Sequence, residues 1–291
     1  MTAVYLGSIG LLTALLVGLG LAYLQRHGAS ISMQVVAGML LTFPAGEGAV
    51  AFVQCLAARW APPRRLVRLD YSGGIPESAR TMVVVPTLLA SVPAVQELIE
   101  RLEVMALANA DPRIHFAILS DFTDADAPER PDDEAILAAA RTGIESLNAR
   151  FGGGNTFYLL HRARRWNPGE NAWMGWERKR GKLEEWNRLL RGATDTSYAV
   201  QVGDLAILPS VRYCLTLDSD TRLPRDAAKK LIGVIAHPLH RPHYDARLGR
   251  VTEGYGILQP RVSVTMASAA GSLFARLYAG HTGVDPYTTA V

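Results

Sequence analysis

The sequence predicts an α/β domain built on a mostly parallel sheet and preceded by a hairpin of two membrane-crossing helices. Three observations predict it. Short apolar runs, several β-branched, alternate with stretches of helical periodicity from residue 80 onward. Some of those runs carry no charge, as strands covered on both faces require. Two long apolar segments precede Arg59.

Composition agrees with a buried core. The 291 residues are 49% hydrophobic and 20% charged, which excludes a mainly disordered chain. Thirty Lys and Arg against 27 Asp and Glu leave a net charge of +3. A dedicated nucleic-acid binder carries a larger excess, so nucleic acid is not expected as a partner and basic function must be local. Cys55 and Cys214 lack CxxC spacing and are too few for a disulfide framework. A reducing compartment suits the soluble part.

Residues 3–24 contain no charged side chain; these 22 residues reach roughly 33 Å at a helical rise of about 1.5 Å, enough to span a hydrocarbon core. No basic residue precedes the run, and it is longer than the core of a signal peptide. Residues 31–58 are interrupted by Pro44, Gly46, Glu47 and Gly48, which one kinked spanning helix tolerates. Glu47 would need a partner helix or a cavity. Arg59, Arg64, Arg65 and Arg68 follow the second run, whereas the loop between the runs holds Arg26. The positive-inside rule places the N-terminus and everything after Arg59 in the cytoplasm.

Residues 59–79, with Pro62-Pro63, Gly73-Gly74 and Pro76, read as a linker at the membrane surface. The domain follows, from 80 to 291. Residues 81–85 form a strand closed by Pro86, and 93–108 a helix with Val95, Leu98, Ile99, Leu102, Met105 and Leu107 at helical spacing. A strand over 114–119 ends at Ser120-Asp121. Ile136, Leu137, Ile144 and Leu147 mark a helix over 132–149. Strands are expected over 157–160 and 212–217, the latter ending at Asp218-Ser219-Asp220. Pro224 stands near the first turn of a helix reaching about residue 236, where proline costs little. Residues 255–264 read as a further strand.

Right-handed crossovers place ligands at the carboxyl ends of parallel strands. Asp121 and the Asp218/Asp220 pair stand at those ends, which makes them site candidates. Two carboxylates one residue apart can direct oxygens at one Mg²⁺ or Mn²⁺, an ion that fills its other positions with water and phosphate oxygens. A capped turn is the plainer reading of the same residues. Phosphatases of the haloacid-dehalogenase type also place Asp-x-Asp after an apolar strand, with the first Asp, here Asp218, as nucleophile. Their pattern has Thr or Val where this chain has Arg222.

Residues 161–191 hold nine arginines and lysines against four glutamates, together with four of the five tryptophans. Cations interleaved with indoles suit a ligand both phosphorylated and ringed, such as a sugar nucleotide, or single-stranded nucleic acid. A helix lying on anionic headgroups is the plainer alternative and would make the chain a non-catalytic membrane-surface module. Trp186, Leu189 and Leu190 read as core. Asp121 can accept from a base or ribose hydroxyl, or cap a helix. Asp124, Asp126, Asp132 and Asp133 read as exposed loop charges, and His237, His240 and His243 as a surface loop.

The strings RTMVVVPTLL, HFAILSDFTDA, RRWNPGENAWMGWERKRGKLEEWNRLLRG, LTLDSDTRLP and GYGILQPRVS resemble the glycosyltransferase domain of bacterial cyclic β-1,2-glucan synthases, which are membrane-bound and of the GT-A type. The resemblance runs from about Arg59 to the chain end. It implies a Rossmann-like GT-A domain, a UDP-glucose donor, a divalent metal and a growing β-1,2-linked glucan as acceptor. The site is the cytoplasmic face of the inner membrane. Residue by residue, Asp218 and Asp220 would bind metal and diphosphate, Asp121 would contact uridine, and Lys182 with neighbouring arginines such as Arg180 would neutralise diphosphate. The acidic base motif and Arg-Trp acceptor motif of such chains are not evident after Val264; Asp285 is the one carboxylate beyond Glu253. The chain therefore reads as a fragment, the membrane hairpin plus the donor half of the domain. On its own it is expected to bind UDP or UDP-glucose weakly and to transfer nothing.

Overall fold

The computed structural model describes residues 2–60, 66–152, 156–260, 270–273 and 276. An N-terminal unit holds residues 2–60, and a second compact unit is Val67–Leu258.

In the first, α1 (Thr2–Arg26) and α2 (Ile31–Trp60) follow each other through a short turn. Their mean hydropathies, 2.0 and 1.5, and their lengths are sufficient to cross a membrane. Large apolar side chains such as Leu11 and Phe43 point outward, as a lipid-facing helix would have them. Pro44 lies within α2 without ending it.

The second unit runs β1 (Thr81–Leu89), α3 (Val92–Ala108), β2 (Ile114–Phe122), α4 (Asp133–Arg150), β3 (Phe157–Arg162), β4 (Arg165–Asn167), β5 (Ala172–Met174), α5 (Arg178–Leu190), β6 (Tyr198–Val202), β7 (Tyr213–Thr216), α6 (Ala227–Ile235), β8 (His243–Asp245) and β9 (Arg250–Glu253). The main sheet has the order β6-β3-β2-β1-β7. Pairings β1–β2, β1–β7 and β2–β3 are parallel, and β6 joins β3 antiparallel. This is the mostly parallel, Rossmann-like α/β fold that the alternating pattern predicts.

Successive residues of a strand face opposite sides of its sheet, and two cores result. Val83, Val85, Phe116, Ile118, Phe157 and Leu159 meet α3, α4 and α6. Met82, Val84, Ala117, Leu119, Tyr158 and Leu160 meet Trp186 of α5, together with Tyr198 and Leu208. The Ser91 hydroxyl caps α3 by accepting from Ala94 N at 3.3 Å, with Pro93 in the first turn. Asn109, fully buried, receives Ala228 N at 3.0 Å and donates to Met105 O at 3.2 Å, tying the end of α3 to the start of α6.

The structure departs from the sequence reading in several places. The segment expected as a linker is folded from residue 67 onward: Leu69 N donates to Gly233 O at 3.0 Å, and Ile75 is 1% exposed with its N–H on Asp111 Oδ2. Pro86 does not close β1. Leu217 N donates to Val84 O, so the backbone N–H and C=O groups of even-numbered β1 residues point toward β7, and β7 ends before Pro86 would have to donate. β2 continues through Asp121, which lies inside the strand. Residues 255–260 belong to no strand; the rest of that expected strand, and Asp285, lie outside the described residues. The hairpins β4–β5 and β8–β9 and the strand β6 were not expected.

Candidate functional site

The strand order reverses at β1. From there the chain passes outward through β2 and β3, while β7 returns to the other side of β1. In open α/β sheets such a switch point opens a crevice at the carboxyl ends, because the connections on either side lead to opposite faces. Here β1 runs five residues beyond Val84, its last residue paired with β7, whose partner Thr216 ends that strand. Asp218 and Asp220 occupy that turn, closed by Thr221 N on Asp218 O at 2.9 Å. Both are exposed. Lys179, in the first turn of α5, sets its ammonium on Asp218 Oδ1.

Beneath this rim lies a buried charge network. Asp121 and Arg162 are register partners in β2 and β3, so both point to the same face. Arg162 donates from Nε to Asp121 Oδ1 at 2.7 Å and from a terminal nitrogen to Oδ2 at 2.9 Å. Lys182 Nζ lies 3.1 Å from Asp121 Oδ2 and donates to Thr87 O at 2.5 Å. The second terminal nitrogen of Arg162 faces Glu185 Oε2 at 3.5 Å, and that oxygen accepts from Ser197 Oγ at 2.5 Å. Lys182 and Glu185 are three apart on α5 and share its inward face with Trp186. Asp121, Arg162, Lys182 and Glu185 are 1%, 0%, 2% and 4% exposed.

Two cations and two anions cancel, which is the condition for enclosing charge in a low-dielectric interior. Burial pulls the Lys182 ammonium below its ordinary value despite the opposing charge of Asp121. Burial works against charged Arg162 as well, but its hydrogen bonds and the charges of Asp121 and Glu185 outweigh that, and its pKa rises. His161, 2% exposed, holds Nδ1 2.9 Å from Ser120 Oγ, and burial pushes its imidazole down to about 4.

The turn leading into α5 closes over this network. A Cβ on Gly175 would collide with the Asp121 carboxylate and with Arg162, so the residue there must be glycine. Glu177 and Arg178 both adopt left-handed backbone, with φ of 50° and 45°. Arg178 O accepts from Arg162 at 3.0 Å, and its guanidinium pairs with Asp124 at 2.8 Å and Glu170 at 2.5 Å.

The structure therefore sorts the expected site residues into three groups. Asp218 and Asp220 stand exposed at the switch point. Asp121 and Lys182 are brought together but enclosed, so neither reaches a nucleotide or a diphosphate in this arrangement. Arg180 lies on the outward face of α5 and pairs with Glu177 at 3.8 Å. Sequence reasoning passed over Lys179, Arg162 and Glu185; the spacing Lys179–Lys182–Glu185 along one helix was the available signal. Asp133 is not the exposed loop charge expected: it is 9% exposed and paired with Arg164, because α4 carries it in against β3. Arg164 holds its carboxyl below the usual range against the opposing pull of burial. Asp124 is engaged by Arg178. His240 is buried, its Nδ1 2.7 Å from Val234 O, rather than set in a surface loop. Trp186 is core, as expected. Among the described residues no three His, Cys, Asp or Glu side chains gather as a metal cluster.

Fold and site together define a Rossmann-like α/β domain with charged residues gathered at the carboxyl ends of its strands. No family model matches the chain. It is 43% identical over 284 residues, 97% of its length, to the cyclic beta-(1,2)-glucan synthase NdvB of Rhizobium meliloti (strain 1021). The chain spans 10% of the length of that relative.

Proposed function

We propose that this chain is the donor-binding segment of a membrane-bound glycosyltransferase that takes UDP-glucose and extends a β-1,2-linked glucan at the cytoplasmic face of a bacterial inner membrane. The observation that carries this reading is the exposed Asp218/Asp220 turn at the switch point, with Lys179 beside it. The identity to NdvB supports the glucan product, and the apolar helices α1 and α2 support a bilayer anchor in a multi-pass arrangement.

Two exposed carboxylates on one turn fit Mg²⁺ or Mn²⁺, which accept one or two protein carboxylates and leave the remaining positions to water and phosphate. Such an ion, when bound, would neutralise charge on the departing diphosphate. Asp218 and Asp220 would hold it. Lys179 adds a fixed cation at the rim, where negative charge develops as the sugar–phosphate bond breaks. Asp121 and Lys182 serve as the crevice floor; contact of Asp121 with uridine would require the Gly175 turn to lift. A β-linkage from an α-linked donor means inversion by in-line attack of an acceptor hydroxyl, with a general base that this reading assigns to no residue here.

Calorimetric titration of the detergent-solubilised chain with UDP, with and without Mn²⁺, tests the reading. The expected result is UDP binding that needs Mn²⁺ and weakens at least about tenfold, roughly 1.4 kcal/mol, in D218N/D220N. Metal-independent UDP binding, or affinity unchanged by the double substitution, would overturn it. Beryllium fluoride trapping at Asp218 would point to a phosphatase instead.

A further inference from the structure

A groove of about 390 Å³ lies between the β4–β5 hairpin and the turn into α5, within the range of small-ligand sites (about 300–1,000 Å³). Trp166 and Trp176 line it and are 45% and 42% exposed. One exposed indole needs no explanation, but two bordering one concave surface form a platform for a flat ligand face. The remaining walls include Arg165, Asn167, Glu170 and Arg178.

The groove is built in advance. Trp166 pairs with Trp173 across the hairpin, their ring centroids 5.9 Å apart. Trp173 exchanges backbone hydrogen bonds of 2.8 and 2.9 Å with Ala125. Asn167 Oδ1 accepts from Gly169 N at 3.0 Å, and Arg178 is held between Asp124 and Glu170. The charges in its lining cancel, two cations (Arg165 and Arg178) against two anions (Glu170 and Glu177). A diphosphate has no net attraction to such a surface. A neutral polyhydroxylated ring does, since its C–H face carries slight positive charge against the negative indole face and its hydroxyls find both acceptors and donors at the rim.

We propose that this groove binds a glucosyl unit of a neutral β-linked glucan, separately from the donor crevice. The identity of the sugar rests on the glucan reading above. The groove also adjoins that crevice: its wall residue Arg178 directly precedes Lys179, whose ammonium meets Asp218. A glucan held here lies alongside the donor site.

The test is calorimetric titration of the full chain in detergent with sophorose, the β-1,2-linked disaccharide of glucose, run beside the UDP/Mn²⁺ titration. Sophorose is expected to bind saturably, and W166A and W176A each to weaken it at least about tenfold while leaving metal-dependent UDP binding unchanged. D218N/D220N is expected to do the reverse. Trp176→Phe, which keeps a flat ring, should retain sophorose affinity within about threefold and guards against misfolding of the alanine variant. Absence of saturable sophorose binding, or affinity unchanged in both alanine variants, would overturn the proposal. Loss of UDP binding in the unsubstituted chain with sophorose binding intact would defeat the donor reading and leave this one standing.

Discussion

Arg162 and Asp121 face each other across the β2–β3 register and are joined by two parallel hydrogen bonds of 2.7 and 2.9 Å, with neither side chain open to water. Everything near the crevice floor depends on that bidentate pair, since Lys182, Glu185 and the Gly175 turn are arranged around it.

Removing one partner should therefore be costly. Arg162→Ala leaves the Asp121 and Glu185 carboxylates with one buried cation between them, and a loss of about 3–5 kcal/mol in unfolding free energy is expected. The double variant R162M/D121L leaves Lys182 and Glu185 to balance each other. It should be less destabilised than the sum of the two single variants, measured by denaturant midpoints in a double-mutant cycle. Additive losses would mean that the pair is not coupled.

Gly175→Ala should destabilise by about 1–3 kcal/mol, because a methyl group meets the Asp121 carboxylate in a packed site. Gly175 is not among the residues with positive φ, so the loss comes from collision rather than backbone strain. Gly73→Ala, with nothing within 4 Å of its added carbon, serves as the comparison and should lie within about 0.5 kcal/mol of the parent. Thermal unfolding of the two variants side by side decides this.

Stability should fall as the solution is acidified, through His161. Its pKa drops from 6.5 when unfolded to about 4 when buried, so between these values the unfolded chain binds the extra proton. Acidification from pH about 6.5 to about 4 should then cost up to about 3 kcal/mol. Asp133 acts in a lower window: its depressed pKa contributes stability that is lost only as pH falls below 3.8. His161→Gln should flatten the upper limb and leave the lower one intact. An unchanged slope in the variant would remove His161 as its source.

Hydropathy and periodicity were sufficient for α1, α2, β1, β2, β3, β7, α3, α4 and α6, because a buried strand leaves a short apolar run and burial of one helix face leaves a 3.6-residue stripe. The Asp218/Asp220 turn was legible for the same reason: it directly follows such a run. The three-residue strands β4 and β5 left no periodic trace, since their pairing rests on Trp166 meeting Trp173 and on Ala125, more than forty positions away, bonding to Trp173. β6 and the folded segment after residue 67 were equally invisible, being held by partners distant along the chain.

By itself the sequence determined the long central strands, most of the helices and where acidic residues leave the sheet, since these follow from local pattern. Whether a charge meets solvent was decided only by the tertiary structure. Asp121 and Asp218 read alike as carboxylates near a strand end. The β2–β3 register set Arg162 against Asp121 and α5 sealed it with Lys182, while the end of β7 left Asp218 in the open. Formal charge is a property of a residue, but solvation depends on what packs over it.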